Sequence, residues 1–126
     1  MPQSATLDRF IAKVLANEYC EAIAEFYAED ASMQENQSEP RRGRSNLVER
    51  ERALLKKAQS VQSECIGPVF VNGDYVVIRW RFRFQWKDAS ITEMEELTYQ
   101  RWDGDRIVEE QFFYDPAQRQ PKRPGE

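Results

Sequence analysis

The sequence contains no histidine and only two cysteines among its 126 residues. The absence of histidine excludes Ser-His-Asp and Cys-His catalytic arrangements and the usual zinc sites. Any acid–base chemistry must therefore fall to Glu, Asp, Tyr, Lys or Arg side chains, or to bound water. Cys20 and Cys65 are too few for a disulfide framework, and their apolar neighbours favour two inert, buried thiols.

Long apolar runs and an excess of positive charge are also missing. No run approaches the roughly 20 residues that span a bilayer, and the first residues, Met-Pro-Gln-Ser-Ala-Thr, lack the layout of a signal peptide. Lys and Arg total 18 against 22 Asp and Glu, which gives a net charge of -4. We therefore expect a cytoplasmic protein that binds neither nucleic acid nor membrane.

Helical periodicity dominates the first half of the chain. It predicts a first helix over 7–15, a second that ends near residue 30, a short strand at 32–35, and a third helix from about 45 to 60. Thr6 is the candidate N-cap of the first helix. On the third helix Glu51 falls on the apolar face, which is unusual for an acid.

The apolar period changes from 3.6 to 2 near residue 61. Runs rich in Val, Ile, Phe, Tyr and Trp predict strands at about 62–71, 75–86, 91–102 and 106–114. Asn72-Gly73-Asp74 and Asp103-Gly104-Asp105 predict tight hairpin turns. In the second run, aromatic residues alternate with arginines, so one face of that strand is apolar and the other is cationic.

Helices followed by an antiparallel meander indicate an α+β fold, with the helices on one face of the sheet. We expect a cone-shaped roll in which three N-terminal helices pack on a strongly curved antiparallel sheet around an internal pocket. The whole chain, 1–126, is expected to form a single domain with flexible termini at 1–5 and 117–126.

Two segments resemble a known family. The stretch "EAIAEFYAEDASMQENQSEPRRGRSNL" is similar to its pattern of helix, Tyr-Ala-x-Asp-Ala, short strand with a carboxylate, Pro-x-x-Gly and helix. The stretch "YQRWDGDRIVEEQFFYD" is similar to its closing hairpin. The chain therefore resembles the SnoaL-like and ketosteroid-isomerase-like branch of the nuclear-transport-factor-2-like superfamily, whose members include isomerases, cyclases, dehydratases and non-catalytic binders.

The resemblance implies a set of pocket residues. Glu35 falls where a steroid isomerase holds its general-base Asp, and Tyr27 falls on a Tyr of the hydrogen-bond network around the oxyanion hole. Phe10 and Thr98 stand where that enzyme has its two oxyanion donors, a Tyr and a protonated Asp. Glu51 replaces a supporting Tyr. Further cavity-wall positions fall on Trp80, Phe82, Phe84, Glu110, Phe112 and Tyr114.

Strand alternation adds two residues to this set, because Met94 and Glu96 share the face of Thr98. Four acids would then surround one space: Glu35, Glu51, Glu96 and Glu110. Like charges crowded together raise at least one pKa, and a protonated Glu can donate a hydrogen bond.

The same acids also allow an interpretation without a site. The acids on the sheet can pair with Arg79, Arg81, Arg83 or Arg101 on neighbouring strands. Glu35 can be a solvated loop residue paired with Arg41, Arg42 or Arg44. The strand register, which sequence does not fix, decides between the two interpretations.

Two functions remain open at this point. One is a small-molecule isomerase, cyclase or dehydratase without metal or other cofactor, in which Glu35 takes a proton alpha to a carbonyl. Tyr27, Thr98 and a neutral Glu51 or Glu110 would donate hydrogen bonds to the enolate. The other is a non-catalytic ligand-binding or protein-association module. We expect a small hydrophobic molecule in the pocket, and the resemblance implies a homodimer through the outer face of the sheet.

Overall fold

The computed structural model describes residues 1–123 and contains three α-helices, six β-strands and one 3₁₀ helix. The helices are α1 (Ser4–Leu15), α2 (Tyr19–Phe26) and α3 (Arg44–Leu55). The strands are β1 (Tyr27–Glu35), β2 (Arg41–Arg42), β3 (Ala58–Asn72), β4 (Tyr75–Trp86), β5 (Ile91–Asp103) and β6 (Arg106–Phe113), and the 3₁₀ helix is Pro116–Arg119. None of the helices within 1–123 is long and apolar enough to cross a membrane.

All six strands form one sheet in the order β2-β1-β6-β5-β4-β3. Strands β3 to β6 form the antiparallel meander that the sequence predicts, and the α+β roll is confirmed. Strand β1, however, pairs in parallel with β6, so the sheet is mixed rather than wholly antiparallel. A parallel pair needs a long crossover connection, and here all the chain between β1 and β6 supplies it.

The register of β4 against β5 separates two chemically different faces. On the inner face, Trp80 lies opposite Glu96 and Phe82 lies opposite Met94. On the outer face, the Arg79 and Arg81 guanidinium groups donate to the Glu95 carboxylate at 2.9 and 3.0 Å. Because side chains alternate along a strand, the Glu95 carboxylate points to the outer face and the Glu96 carboxylate points to the inner face.

The helices pack on the inner face around aromatic side chains. Phe10 of α1 lies in edge-on contact with Phe26 and Trp102, with ring centroids 5.5 and 5.9 Å apart. Leu47 is the one fully buried residue of α3 and is 2% exposed. The core therefore fills one end of the roll. Leu47 is the deeply buried side chain that anchors α3 to the other end.

Two predicted element boundaries are wrong for the same reason. Helix α2 ends at Phe26, before residue 30, because Tyr27 already pairs with Ile107 of β6. Helix α3 ends at Leu55 because pairing with β4 extends β3 back to Ala58. Long-range strand pairing outweighs local helix propensity at both boundaries.

The N-cap prediction for α1 is also wrong. The helix begins at Ser4, and Thr6 is buried inside its first turn. The Gln3 backbone N–H donates to the Asp105 carboxylate at 3.1 Å. An acid on the β5–β6 turn therefore caps the helix from a distance, which no local pattern reports.

Contacts join both ends of the described chain to the body of the roll, and the expectation of flexible segments at 1–5 and 117–126 stays a prediction. The Met1 ammonium pairs with the Asp74 carboxylate. The Glu95 backbone N–H donates to the Gln118 side-chain oxygen at 2.8 Å, and Lys122 forms a bridge with Ile91. Residues 124–126, which belong to the same expectation, lie outside the described residues.

Replacing the anchor of α3 tests this packing. Leu47→Ala should lower the free energy of unfolding by about 2–5 kcal/mol, because it removes a fully buried side chain and leaves a cavity. Urea denaturation followed by circular dichroism measures the change. Leu15→Ala is the matched control, since Leu15 is 41% exposed, and it should change stability by less than about 0.5 kcal/mol. Equal effects of the two substitutions would contradict the assignment of Leu47 as the anchor.

Candidate functional site

A cavity of about 400 Å³ lies between the inner face of the sheet and the three helices. Its apolar wall is largely aromatic and comes from α1, β4, β5 and β6, with Phe10, Trp80, Phe82, Phe84, Trp86, Met94 and Phe112. The rings of β4 follow one another along the wall: Trp80 stacks on Phe82 at 5.8 Å and Phe84 on Trp86 at 5.2 Å. The inner face of β4 thus forms one continuous aromatic surface.

Glu35 lies at the mouth of the cavity, at the end of β1. The Arg41 guanidinium donates to its Oε2 at 3.2 Å, and the Arg119 guanidinium donates to its Oε1. The Glu35 side chain is 18% exposed. Both of its oxygens are thus occupied by arginine side chains, in charge-assisted hydrogen bonds.

Glu110 lies in the interior and belongs to a buried hydrogen-bond chain. The Tyr27 hydroxyl donates to its Oε1, and the Gln100 side-chain amide donates to its Oε2 at 2.6 Å. The Trp102 indole N–H in turn donates to the Gln100 oxygen at 3.0 Å. Burial raises the pKa of Glu110 to about 7, although the two donors act in the opposite direction. The Glu110 carboxyl group therefore changes its protonation state near neutral pH.

Glu96 also faces the cavity, from the neighbouring strand, but no protein group satisfies it. Burial, followed by repulsion from Glu110, raises the pKa of Glu96 to about 8. Within residues 1–123 no hydrogen bond or ion pair reaches the Glu96 carboxyl group. An acid that faces open space without a partner is available to exchange a proton with a bound molecule.

Glu51 is the fourth acid on the cavity wall, and it comes from α3. Burial raises its pKa, the Arg119 charge lowers it, and the Glu35 charge raises it. In the part of the chain that the structure describes, its carboxyl group likewise has no hydrogen-bond partner. Glu51, the acid that the sequence places on the apolar face of the third helix, thus faces the cavity.

The Thr98 hydroxyl is a second unsatisfied polar group on this wall. Thr98 is 1% exposed, lines the cavity between Glu96 and Gln100 on β5, and its Oγ1 has no hydrogen-bond partner among residues 1–123. A buried hydroxyl without a partner costs about 1–3 kcal/mol. This cost is relieved when a bound molecule supplies the missing partner.

A family model for the SnoaL-like domain matches residues 7–110. The chain belongs to the SnoaL-like family. No protein with a curated description matches it. The family assignment specifies neither a ligand nor a reaction.

Solved structures support the fold of this SnoaL-like chain. A protein from Mesorhizobium loti, provisionally assigned as a SnoaL-like polyketide cyclase or carbohydrate phosphatase, aligns with a TM-score of 0.73 and 20% identity, over 88% of this chain and 97% of its own. A provisionally assigned polyketide cyclase from Acidithiobacillus ferrooxidans aligns with 0.74 and 20%, over 90% and 88%. A hypothetical protein of ketosteroid-isomerase-like fold from Catenulispora acidiphila, in complex with trimethylamine, aligns with 0.72 and 17%, over 86% and 87%.

The register decides one alternative that the sequence leaves open. The sheet arginines pair with acids of the outer face: Arg79 and Arg81 with Glu95, Arg83 with Glu93, and Arg101 with Glu109. The interpretation in which these arginines neutralise Glu96 and Glu110 is therefore wrong. For Glu35, pairing with Arg41 is confirmed, although the residue also lines the cavity.

Most residues predicted for the pocket of this SnoaL-like protein lie on the cavity wall, where their functional roles stay predictions. They are Phe10, Tyr27, Glu35, Glu51, Trp80, Phe82, Phe84, Met94, Glu96, Thr98, Glu110 and Phe112. Tyr114, which follows the end of β6 at Phe113, is not on the wall but interacts with Glu35 at the mouth. Its ring instead packs under the Arg119 guanidinium, 5.3 Å from the ring centroid.

Sequence reasoning assigned no role in the site to Arg119 at the mouth or to Gln100 in the interior. Arg119 lies in a segment that composition marks as a frayed tail. Gln100 continues the inward-facing row of Glu96 and Thr98, so its position was a readable signal. The two thiols are half-buried rather than buried. Within 1–123, no three acidic or thiol side chains are arranged to hold a metal ion.

The interior acids predict an unusual dependence of stability on pH. A carboxyl group whose pKa rises from 4.5 to about 8 on folding binds its proton more tightly in the folded state. Glu96 should therefore stabilise the fold fully below pH 4.5, and its contribution should be lost as pH rises towards about 8. The slope for one group is at most about 1.4 kcal/mol per pH unit.

Urea denaturation across this pH range measures the slope. Glu96→Gln should flatten it and stabilise the protein at pH 8, because an amide cannot acquire the charge. Glu93→Gln, a substitution on the outer face of the same strand, should leave the slope unchanged. A slope that survives Glu96→Gln would show that this acid is not a source of the pH dependence.

Proposed function

We propose that the protein binds a small, largely apolar molecule in its cavity and transfers a proton on it without a cofactor, in an isomerase, cyclase or dehydratase type of reaction. The aromatic wall supplies the apolar contacts. The unsatisfied polar groups on the wall supply a small number of fixed partners, which is typical of binding sites for small molecules.

One observation carries the catalytic part of the proposal. Glu96 presents an unpartnered carboxyl group to the cavity, and its pKa is raised to about 8 by burial and by Glu110. A base whose pKa lies near the operating pH contributes roughly 10²–10⁴-fold in rate. In the proposed step the ionised Glu96 carboxylate takes a proton from the carbon alpha to a carbonyl, and the protonated carboxyl later returns it to the product.

The negative charge that develops on the carbonyl oxygen needs hydrogen-bond donors. Thr98 Oγ1 is free to donate to a ligand, since no protein group within 1–123 engages it. Tyr27 and Glu110 form a second source. When Glu110 is protonated it can donate to the Tyr27 oxygen, which releases the phenolic hydrogen for the ligand.

Glu35, the base that the family resemblance implies, takes a different part in this proposal. Its two arginine partners occupy both of its oxygens. We place it as the group that fixes Arg41 and Arg119 at the cavity mouth. Its role as the base stays the competing assignment, and the same assay separates the two.

Exchange of the alpha hydrogens of tetralone in heavy water tests the reaction without knowledge of the natural substrate. Tetralone is an apolar ketone, and proton nuclear magnetic resonance follows the loss of its alpha signal. The protein should accelerate exchange, with a rate that rises with pH and levels off above about 8 as Glu96 ionises. Glu96→Gln should lower the rate about 10²–10⁴-fold.

Two variants complete this experiment. Glu93→Gln, on the outer face, should leave the rate unchanged, and Glu35→Gln should lower it much less than Glu96→Gln. A large loss in Glu35→Gln with none in Glu96→Gln would return the base to the cavity mouth. Tetralone that binds without accelerated exchange would favour the non-catalytic module.

A specific observation favours the association function in addition. The outer face of the sheet exposes apolar side chains that cluster across β3 to β6: Phe70, Tyr75, Leu97, Tyr99 and Phe113. Leu97 lies opposite Phe113, and the rings of Tyr75 and Tyr99 are 5.5 Å apart. We propose that this patch pairs two copies of the chain, because contiguous exposed apolar side chains mark interaction surfaces.

Placing a charge in the patch tests the dimer. The wild-type chain should sediment as a dimer, and Leu97→Asp should shift it to a monomer, because dimerisation would bury a charged carboxylate among apolar side chains. Leu15→Asp is the matched control, since Leu15 is similarly exposed but lies on α1, and it should leave the dimer intact. A monomeric wild-type chain in analytical ultracentrifugation would refute pairing through this patch.

A further inference from the structure

The interior of the cavity has acids without cations. Glu51, Glu96 and Glu110 lie on its wall together with three arginines. Two of these, Arg41 and Arg119, bond to Glu35 at the mouth, and the third, Arg50, is exposed at the rim. Within 1–123 the three interior acids therefore form no ion pair with any basic group.

The aromatic wall beside Glu96 suits a positive charge. Trp80 lies directly opposite Glu96 across β4 and β5, and its ring stacks on that of Phe82. The face of an aromatic ring carries partial negative charge and attracts a cation within about 6 Å, most strongly when the ring belongs to Trp. An ammonium group beside Glu96 would thus meet a carboxylate and aromatic side chains together.

The orphaned Thr98 hydroxyl points to the same place, independently of the acids. Thr98 is 1% exposed and follows Glu96 on the inner face of β5. Its Oγ1 has no partner among residues 1–123. A hydroxyl oxygen can accept a hydrogen bond from an N–H donor, so an ammonium group held by Glu96 has a neutral acceptor within the same row of side chains.

We propose that the ligand of this cavity is a protonated amine with an apolar body, whose ammonium group binds between Glu96, Thr98 and the aromatic wall of β4. The inference rests on the proposed binding function of the cavity and adds the chemical class of the ligand. The ammonium group supplies a direct ion pair, which the interior acids lack, since Arg119 acts on Glu51 and Glu96 only at longer range. The apolar body packs against the stacked rings.

A neutral ligand with a hydrogen-bond acceptor is the competing occupant. It would take hydrogen bonds from protonated acids, so its binding would weaken as pH rises and the acids lose their protons. An ammonium ligand should show the opposite dependence of affinity on pH. It binds the ionised acids, so its binding releases protons and strengthens as pH rises through about 7 and 8, where Glu110 and Glu96 titrate.

The other charged or titratable groups on the cavity wall do not change the predicted rise of amine affinity with pH. They are Glu35, Arg41, Arg50, Glu51, Glu110 and Arg119, with the hydroxyls of Tyr19 and Tyr27. The arginines stay charged throughout this range. Burial raises the pKa of both tyrosines well above it. Glu110 and Glu96 therefore change charge in this range, and their ionisation favours a cation.

Aminotetralin and tetralol form a matched pair of probes, because they share one apolar body and differ in an ammonium or a hydroxyl group. Isothermal titration calorimetry in two buffers of different ionisation enthalpy gives both the affinity and the number of protons released. At pH 7 aminotetralin should bind at least roughly tenfold more tightly than tetralol and should release protons. Its affinity should rise from pH 6 to 8.

Substitution locates the effect. Glu96→Gln should remove most of the preference for the amine and most of the proton release while tetralol still binds, which shows that the cavity is intact. Glu93→Gln should keep both. Equal or tighter binding of tetralol at pH 7, or an amine affinity that falls as pH rises, would overturn this inference alone. Binding of neither probe would overturn it together with the proposed function.

Discussion

The buried hydrogen-bond chain from Trp102 through Gln100 and Glu110 to Tyr27 is the interaction on which the site depends. It links β5, β6 and β1 in the interior, where each missing partner would cost about 1–3 kcal/mol. The Tyr27–Glu110 hydrogen bond fixes the start of β1 against β6. The other end of β1 then places Glu35 at the mouth of the cavity. It also satisfies one interior acid completely and leaves the neighbouring Glu96 without a partner.

How much of this was readable from the sequence depends on the range of the interactions. The alternation of β4 and the turns at Gly73 and Gly104 are local signals, and the structure follows them. The apolar-face position of Glu51 is equally local, and it correctly marks a cavity-facing acid. The early start of β1 at Tyr27 was not readable, because its pairing partner lies in β6 at Ile107.

The identity of the ion pairs lay beyond sequence reasoning for the same physical reason. Acids and arginines alternate along β4 and β5, so a shift of one residue in register would exchange Glu95 for Glu96 as the partner of Arg81. Local propensities do not fix that register. The position of Arg119 is set by bonds of Gln118 to the Glu95 backbone, which composition cannot report either.

The separation of charge between mouth and interior links the two proposals. Cations at the mouth neutralise Glu35, whereas the interior acids share one low-dielectric space and repel each other's ionisation. In such a space the Glu96 carboxyl group is mostly protonated at neutral pH and cannot act as a base in that form. A nearby positive charge favours its ionised form. A bound ammonium group would ionise one interior acid by direct attraction and reduce the repulsion that the others experience. The ligand's own charge would thus increase the ionised fraction of Glu96, and it would at the same time lower the pKa of this base.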